Sequence, residues 1–277
     1  MAQDILLLID AQTTFMDKPL AHTEELAVPG SSVSAVRTAA LLDQAQSDIA
    51  AVIATFDSHG NYGIERPGFW VDASGAPVPA WTQIGLDDVA AGSFRTADPR
   101  LAEHALRYLS ALAGNGQAQK LMIWPVHGVL GTPGHALAQP IADALARWEI
   151  SQHRGAIRVL KGTNPLTEHF GAFEADVPLE QAPETQFNRG LAAAIRTSLQ
   201  PAGSRLLVAG QASTHCVPAT LYQLVRNTPD IRSRLTILRD CMNPVPGFEA
   251  NEAALFDWVT AGGGEVITAT DYLTRGQ

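Results

Sequence analysis

Residues 206–220 read LLVAGQASTHCVPAT, and this stretch decides the fold class of the chain. An apolar run typical of a strand stops at Gly210, small residues predict a sharp turn, and a helical pattern starts at Ala219. This order places Cys216 near the N-terminus of a helix. Unpaired N–H groups and the helix dipole favour a thiolate there, so Cys216 is a candidate nucleophile. The alternative interpretation is a small buried core thiol.

The rest of the chain repeats this alternation of apolar strands and helices. Strands are predicted over residues 5–9, 49–56, 121–124, 157–160, 205–209, 235–238 and 265–268. Helices are predicted over residues 31–47, 99–113, 136–153, 188–199, 219–227 and 249–261. Continuous apolar strands are typical of a sheet covered on both faces. The sequence therefore predicts an α/β fold, with a mainly parallel sheet flanked by helices in a Rossmann-like, three-layer domain.

Residues 60–97 interrupt this alternation. The segment contains three prolines, several glycines and aromatic residues that include Tyr62, Phe69, Trp70 and Trp81. A structureless stretch of this length inside a compact domain is usually functional, so we expect an inserted loop that serves as a lid or an assembly element. No internal repeat or linker divides the chain, which predicts one domain over residues 1–277.

Composition and charge exclude several classes of partner. Hydrophobic residues make up 46% of the 277 residues and charged residues 17%, as is ordinary for a globular domain. The formal net charge of -9 argues against nucleic-acid and anionic membrane surfaces and favours a small-molecule substrate. Two cysteines are too few for a disulfide framework, and no stretch reaches the roughly 18 apolar residues of a membrane span. The first apolar run follows no basic leader, so we expect a cytoplasmic protein.

Reactive side chains follow four of the predicted strands. Asp10 closes the first strand, Asp57 and His59 follow the second, and Lys161 and Cys216 follow two later ones. Each residue alone has an ordinary structural interpretation as a cap, a loop residue or a surface charge. In an open parallel sheet, however, chemistry takes place outside the carboxyl ends of the strands. The co-occurrence of these residues at one sheet edge favours a functional site.

A thiol with an acid and a lysine nearby is sufficient for hydrolysis of an amide. Lys161 is expected to lower the pKa of Cys216, and Asp10 could accept the thiol proton and later pass it to a leaving amine. The thiolate would attack a carbonyl and form a thioester that water resolves. Backbone N–H groups of Ala212 and Cys216 are candidates for the oxyanion hole.

A second group of residues is typical of a metal site. Asp57 and His59 lie two positions apart on an extended segment, and His127 lies in a loop bounded by proline and glycine. One carboxylate and two imidazoles suit a single Zn²⁺, Fe²⁺ or Mn²⁺ ion rather than Ca²⁺. Other histidines are predicted to be surface or packing residues, namely His22, His104, His135, His153 and His169.

These motifs resemble those of the isochorismatase-like cysteine hydrolases. The segments LIDAQTTF around Asp10, VLKGT around Lys161 and GQASTHCV around Cys216 are similar to the Asp/Lys/Cys triad of that superfamily. The elements Asp57-Ser58-His59 and Trp-Pro-Val-His, the latter ending at His127, resemble the metal site of its nicotinamidase branch. The resemblance implies a metal-dependent amidase that hydrolyses nicotinamide to nicotinate and ammonia, with zinc as the favoured ion.

The resemblance also implies structural details of the site. The sheet should have six strands, and the peptide bond between Gln211 and Ala212 should be cis, which would aim the Ala212 N–H into the oxyanion hole. Phe15 and Trp124 should sandwich a pyridine ring whose nitrogen the metal binds. A homo-oligomer is expected as well.

The sequence departs from the family pattern at three places. Gly128 occupies a position where members often have cysteine, and a further histidine beyond the Asp57 and His59 pair is missing, which leaves Glu65 as the candidate for a fourth or water-mediated ligand. The segment 60–97 is longer than the usual metal loop. A related hydrolase acting on another small planar or heteroaromatic amide is therefore an alternative, and a catalytically silent binding protein is a third hypothesis.

Overall fold

The computed structural model describes residues 3–21, 25–114 and 120–275. Within these ranges the chain forms ten strands, which are β1 (Asp4–Ile9), β2 (Ile49–Asp57), β3 (Trp70–Asp72), β4 (Gln83–Ile84), β5 (Phe94–Thr96), β6 (Leu121–Met122), β7 (Ile157–Lys161), β8 (Leu206–Gln211), β9 (Leu235–Asn243) and β10 (Glu265–Ile267). The α-helices are α1 (Ser31–Gln44), α2 (Leu86–Ala90), α3 (Ala102–Gly114), α4 (Gln139–Gln152), α5 (Arg189–Ser198), α6 (Cys216–Asn227), α7 (Glu249–Ala261) and α8 (Ala269–Thr274). In the described ranges, no helix combines the length and the apolar character that crossing a membrane requires.

Six strands form the central sheet in the order β10-β9-β8-β1-β2-β7, with all of its strand pairings parallel. Every residue of β1 is buried, because the strand lies in the middle of the sheet with helices on both sides. This explains why its sequence is a continuous apolar run rather than an alternating one. The predicted α/β fold with a mainly parallel six-stranded sheet is confirmed.

Two helical layers cover the sheet. Leu6 and Leu8 of β1 point to one face and pack with residues of α1, α4 and α8, including the buried Trp148 and Tyr272. Alternate residues of the same strand, such as Leu7, point to the other face and pack with α5, α6 and α7. The period of two along a strand thus divides one apolar run between two cores.

The inserted segment has structure of its own, so the prediction of a structureless loop over 60–97 is wrong. Strands β3 and β5 pair antiparallel, and α2 lies between β4 and β5 in sequence. Apolar side chains of the segment, among them Phe69 and Trp70, pack with α3 in a third buried cluster. The segment gains order because this cluster gives its aromatic residues a core to join.

The strand predicted over residues 121–124 forms only over Leu121–Met122, and it lies outside the central sheet. The residues Leu121–Met122 form β6, which pairs antiparallel with β4 of the insertion. A short apolar run carries no information about its partner strand, and this one packs in the third cluster through Leu121 and Ile123.

The carboxyl ends of β1 and β8 lie side by side at the point where the order of strands in the sheet reverses. From β1 the chain continues outward to β2 and β7, whereas the later strands β8, β9 and β10 extend to the other side. Such a switch point leaves a crevice in which open α/β sheets bind ligands. Gly210 at the end of β8 has a φ of 124°, and a Cβ on it would lie 1.9 Å from the Ile9 carbonyl oxygen.

Replacement of Gly210 tests this close approach. We expect Gly210→Ala to lower the free energy of unfolding by about 3 kcal/mol, because the new methyl group clashes with β1 and the backbone disfavours a side chain. Gly92→Ala is the matched control, since Gly92 also has a positive φ, 75°, but no atom within 4 Å of a Cβ. Urea unfolding should show a loss of about 1 kcal/mol for the control. Equal losses in the two variants would contradict the close packing of β8 on β1.

Candidate active site

Cys216 lies at the first residue of α6, directly after the turn that follows β8. The helix therefore begins three residues before the predicted start at Ala219. The peptide bond between Gln211 and Ala212 is cis, as the resemblance implies. A backbone hydrogen bond joins this turn to the end of β9, where the Ser213 N–H donates to the Asn243 carbonyl at 2.9 Å. Cys216 has a helix-start N–H with no acceptor within the helix, and its side chain is buried.

The structure brings the three predicted catalytic side chains together around the Lys161 ammonium. Its Nζ lies 3.0 Å from Asp10 Oδ2 and 3.7 Å from Cys216 Sγ. It also donates to Asp57 Oδ1 at 2.8 Å and to the His169 carbonyl at 3.0 Å. Lys161 is 1% exposed, so one buried cation connects the acid, the thiol and the aspartate of the predicted metal site.

Thr55 holds the Asp10 carboxylate in place. Its hydroxyl donates to Asp10 Oδ1 at 2.5 Å and accepts from the Asp10 backbone N–H at 3.0 Å. Burial raises the pKa of Asp10, and the charge of Lys161 opposes that rise. Thr55 was not among the predicted site residues, because it lies within the apolar strand β2 and faces Asp10 only through the pairing of β1 with β2.

The electrostatics of Cys216 differ from the prediction. Burial raises the pKa of the Cys216 thiol well above its usual value, Lys161 lowers it, and Asp10 and Asp57 raise it further. The effect of Lys161 has the predicted direction, but the prediction of a lowered thiol pKa is wrong because desolvation outweighs the ammonium. Lys161 itself has a pKa well above its usual value, since the two carboxylates outweigh its burial.

Asp57, His59 and His127 form a compact, buried group in which one possible ligand atom from each lies within 4.8 Å of the others. Asp57 Oδ1 is 2.9 Å from His59 Nε2, and Asp57 Oδ2 is 3.0 Å from His127 Nε2. A buried carboxylate facing two imidazole nitrogens is a donor set that suits Zn²⁺, Fe²⁺ or Mn²⁺. The residues present therefore fit the predicted ion.

Glu65 and Arg66 support this group from the far side of the histidine rings. Glu65 Oε1 lies 3.4 Å from His59 Nδ1 and 2.9 Å from Arg66 Nε. Arg66 Nη1 is 2.8 Å from His127 Nδ1, and Nη2 donates to the His127 carbonyl. Glu65 thus faces the ring nitrogen opposite the one near Asp57, so the structure does not bring it into the ligand group as predicted. Its position suits orientation of His59.

A narrow, mainly apolar cavity opens onto Cys216. It contains both predicted ring-binding residues and is lined by Phe15, Leu26, Val28, Asp57, Trp124, His127, Glu168, Phe170, Ala212, His215, Cys216 and Val245. The Phe15 ring lies 5.6 Å from the His127 ring, centroid to centroid. The cavity wall thus combines two residues of the predicted metal site, Asp57 and His127, with the Cys216 thiol.

Sequence reasoning missed His215 and Phe170 as lining residues. The His215 ring contacts Trp124 edge-on at 5.4 Å, and Phe170 contacts both of these rings. Burial lowers the pKa of His215 to about 4, so it is neutral at pH 7. The position of His215, directly before the candidate nucleophile in the turn, was the available signal.

The other histidines divide into packing residues and one member of the site. His104 contacts the Leu166 carbonyl, His135 contacts Ser58, and His153 is exposed at the end of α4. His22 lies outside the described residues. His169 is buried beside Lys161, and its backbone carbonyl accepts a hydrogen bond from the Lys161 ammonium. Burial, reinforced by Lys161, lowers the pKa of His169 to about 3, so its ring adds no charge.

The fold of this chain is similar to that of several solved enzyme structures. Solved structures with the same fold are nicotinamidases, pyrazinamidases and isochorismatase-like cysteine hydrolases. No protein-family model and no curated protein matches the sequence. The likeness thus establishes the fold across the whole chain at identities far below those of close relatives.

Three solved structures illustrate the likeness. A nicotinamidase and pyrazinamidase from Acinetobacter baumanii has a TM-score of 0.62 at 16% identity, over 98% of this chain and 99% of that one. The yeast nicotinamidase Pnc1p has a TM-score of 0.61 at 18% identity, over 96% and 99%. A pyrazinamidase from Pyrococcus horikoshii, solved in complex with zinc, has a TM-score of 0.54 at 18% identity, over 96% and 99%.

The raised pKa of Cys216 predicts slow alkylation near neutral pH. In metal-free Cys241→Ala protein, we expect the rate of iodoacetamide modification to increase continuously up to about pH 9, because the thiolate is the reactive form. The Cys241→Ala background removes the other thiol, which is buried and has a pKa of about 12. A rate that stays constant between about pH 6 and pH 9 would indicate a stable thiolate instead.

The group of Asp57, His59 and His127 predicts one metal site per chain, and zinc is the probe that tests it. We expect zinc-dialysed protein to retain about one equivalent per chain and both His59→Ala and His127→Ala to lose it. Burial lowers the pKa of His59, but the charges of Asp57 and Glu65 outweigh it and raise the pKa. Because ligands must be deprotonated, zinc affinity should fall as the pH is lowered. His153→Asn is the control, since His153 is exposed and asparagine tolerates its left-handed backbone. Full zinc retention by His127→Ala would contradict the site.

Proposed function

We propose that the chain is a metal-dependent amidohydrolase that converts nicotinamide to nicotinate and ammonia through a thioester on Cys216. The observation that carries this proposal is the position of the Lys161 ammonium, which contacts Asp10, Asp57 and Cys216 in one buried cluster. The fold shared with nicotinamidases and pyrazinamidases supports it.

Asp10 acts as the base of the first step. Burial raises its pKa, which makes the carboxylate a stronger proton acceptor. Lys161 Nζ contacts both Asp10 Oδ2 and Cys216 Sγ, so the acid and the thiol share one ammonium. As Asp10 takes the proton, the sulfur forms a bond to the carboxamide carbon and the carbonyl electron pair moves to oxygen. The N–H groups of Ala212 and Cys216 are the proposed donors to this oxyanion.

The second half of the reaction returns the proton. When the tetrahedral intermediate collapses, the carbon–nitrogen bond breaks and Asp10 protonates the leaving nitrogen, which departs as ammonia. Water then attacks the thioester carbonyl, Asp10 takes one proton from the water, and the sulfur leaves and recovers the proton. Throughout the cycle Lys161 remains charged and offsets the negative charge of the carboxylates beside the thiol.

The substrate ring is placed by the walls of the cavity. Phe15 and Trp124 offer aromatic faces on which a planar heteroaromatic ring can pack. Asp57, His59 and His127 would hold the metal ion, which supplies a Lewis-acidic partner for the ring nitrogen when bound. Zinc is the favoured ion, because the donors fit it and a pyrazinamidase of this fold was solved in complex with zinc.

A second candidate function is hydrolysis of a different small planar amide by the same chemistry. The insertion over 60–97 favours it, because this segment supplies Trp81, which contacts the cavity wall at Trp124. A change in that wall alters which ring fits without altering Asp10, Lys161 or Cys216. The proposal therefore treats the reaction class and the identity of the ring separately.

Ammonia release tests the reaction. We expect the zinc-loaded protein to release ammonia from nicotinamide and Cys216→Ala to release none above background, since no thioester can form. Lys161→Ala and Asp10→Asn should lower kcat/KM by at least about 100-fold. Cys241→Ala is the matched control and should retain wild-type activity, because Cys241 lies in β9 among core residues. Turnover by Cys216→Ala would contradict the mechanism.

A substrate panel separates the two candidate functions. Activity on nicotinamide and pyrazinamide supports the first, and activity confined to other planar amides supports the second. Zinc-loaded protein that hydrolyses no amide, with Cys216 inert to alkylation at high pH, would indicate the silent binding protein instead.

A further inference from the structure

Two tryptophans connect the insertion to the cavity. The Trp124 ring lines the cavity and is 4% exposed, whereas Trp81, from the insertion, is 52% exposed. Their ring centroids are 5.4 Å apart at an interplanar angle of 75°, so the rings meet edge to face. Aromatic pairs prefer this geometry, which restricts how each ring can turn.

Backbone hydrogen bonds also hold the segments that contain these two tryptophans together. The Trp81 N–H donates to the Ile123 carbonyl at 2.5 Å, and the Ile123 N–H donates to the Thr82 carbonyl at 2.8 Å. These bonds extend the antiparallel ladder of β4 and β6 to the two tryptophans. The pairing of β4 with β6 therefore places Trp81 against Trp124.

The backbone at Trp81 is in the left-handed region, with a φ of 70°. Glycine and asparagine are at ease there, whereas a bulky side chain is disfavoured. Trp81 is also half exposed, so burial of its side chain stabilises it only in part. Its ring contact is with Trp124.

Other rings hold Trp124 on its remaining sides. His215 contacts it edge-on at 5.4 Å and Phe170 at 6.1 Å. The Trp124 backbone N–H donates to the Glu65 carbonyl at 2.9 Å, so the insertion holds this residue through its main chain as well. Trp81 is the member of this set that solvent reaches most, since the other rings lie within the cavity wall.

We propose that Trp81 is a positioning residue that holds the Trp124 indole as one wall of the slot for a planar aromatic amide. The proposal rests on the proposed function in that the slot takes the substrate ring. It adds that the insertion sets the affinity for the ring, whereas Asp10, Lys161 and Cys216 set the rate of bond breaking.

The test compares Trp81→Gly with Trp81→Phe. The glycine variant suits the backbone, so it should melt within about 3 °C of wild type. It should bind nicotinamide roughly three- to tenfold more weakly in a Cys216→Ala background, measured by calorimetry on zinc-loaded protein. In the active enzyme KM should rise by the same factor while kcat stays within about twofold. Trp81→Phe should restore affinity to within about twofold of wild type, because it keeps a ring edge on Trp124.

Two further variants make the result decisive. Trp81→Asn replaces the glycine variant if that one fails to fold, since asparagine also tolerates the backbone. Trp258→Phe is the matched control, because Trp258 packs on Tyr222 and Arg232 away from the cavity and should keep wild-type affinity. Circular dichroism should lose the exciton signal of the tryptophan pair in Trp81→Gly and retain it in Trp258→Phe.

The outcomes separate this proposal from the proposed function. Wild-type affinity for nicotinamide in Trp81→Gly, together with loss of the exciton signal, would overturn the positioning role and leave the amidase proposal standing. Wild-type protein that binds nicotinamide but releases no ammonia would overturn the amidase proposal alone. A fall in kcat with unchanged KM would also overturn the positioning role.

Discussion

The buried ammonium of Lys161 is the interaction on which the rest of the site depends. A charge removed from water costs several kcal/mol unless partners compensate for it, and Lys161 has Asp10 and Asp57 within 3.0 Å. It comes from β7, an edge strand whose other residues are exposed or half-buried. Only its last residue turns under the carboxyl ends of β1 and β2. The sheet edge is therefore closed by an ion cluster rather than by apolar packing.

Asp57 joins the Lys161 cluster to the two imidazoles of His59 and His127. Its Oδ1 contacts both Lys161 and His59, and its Oδ2 contacts His127. Despite burial, His59 and Lys161 hold the pKa of Asp57 well below its usual value, so this carboxylate stays charged. A substitution at Asp57 would therefore remove contacts of Lys161, His59 and His127 together. Burial raises the pKa of the Cys216 thiol beside this cluster, although Lys161 opposes the rise.

The insertion surrounds this common scaffold with residues of its own. Glu65 contacts His59 Nδ1 and Arg66 contacts His127 Nδ1, the ring nitrogens that point away from Asp57. Trp81 contacts the cavity wall at Trp124. Because the third apolar cluster anchors the segment on α3, these residues are held by a core rather than by a free loop. The central sheet supplies reactive groups, and the added segment supplies their supports, as is usual when function varies on one fold.

The sequence by itself determined the fold class and the identities of the groups that meet at the sheet edge. These features are local patterns that the amino-acid sequence shows directly. They are the continuous apolar strands, the turn after Gly210, and the positions of Asp10, Lys161 and Cys216 at strand ends.

Only the tertiary structure decided which partners these groups have. It paired β6 with β4, turned Glu65 toward the far nitrogen of His59, and brought Thr55, His169 and His215 into the site. It also reversed the predicted pKa shift of Cys216. In each case the outcome depends on burial and on contacts between residues distant in sequence, because desolvation and Coulomb interactions follow distance in space rather than position along the chain.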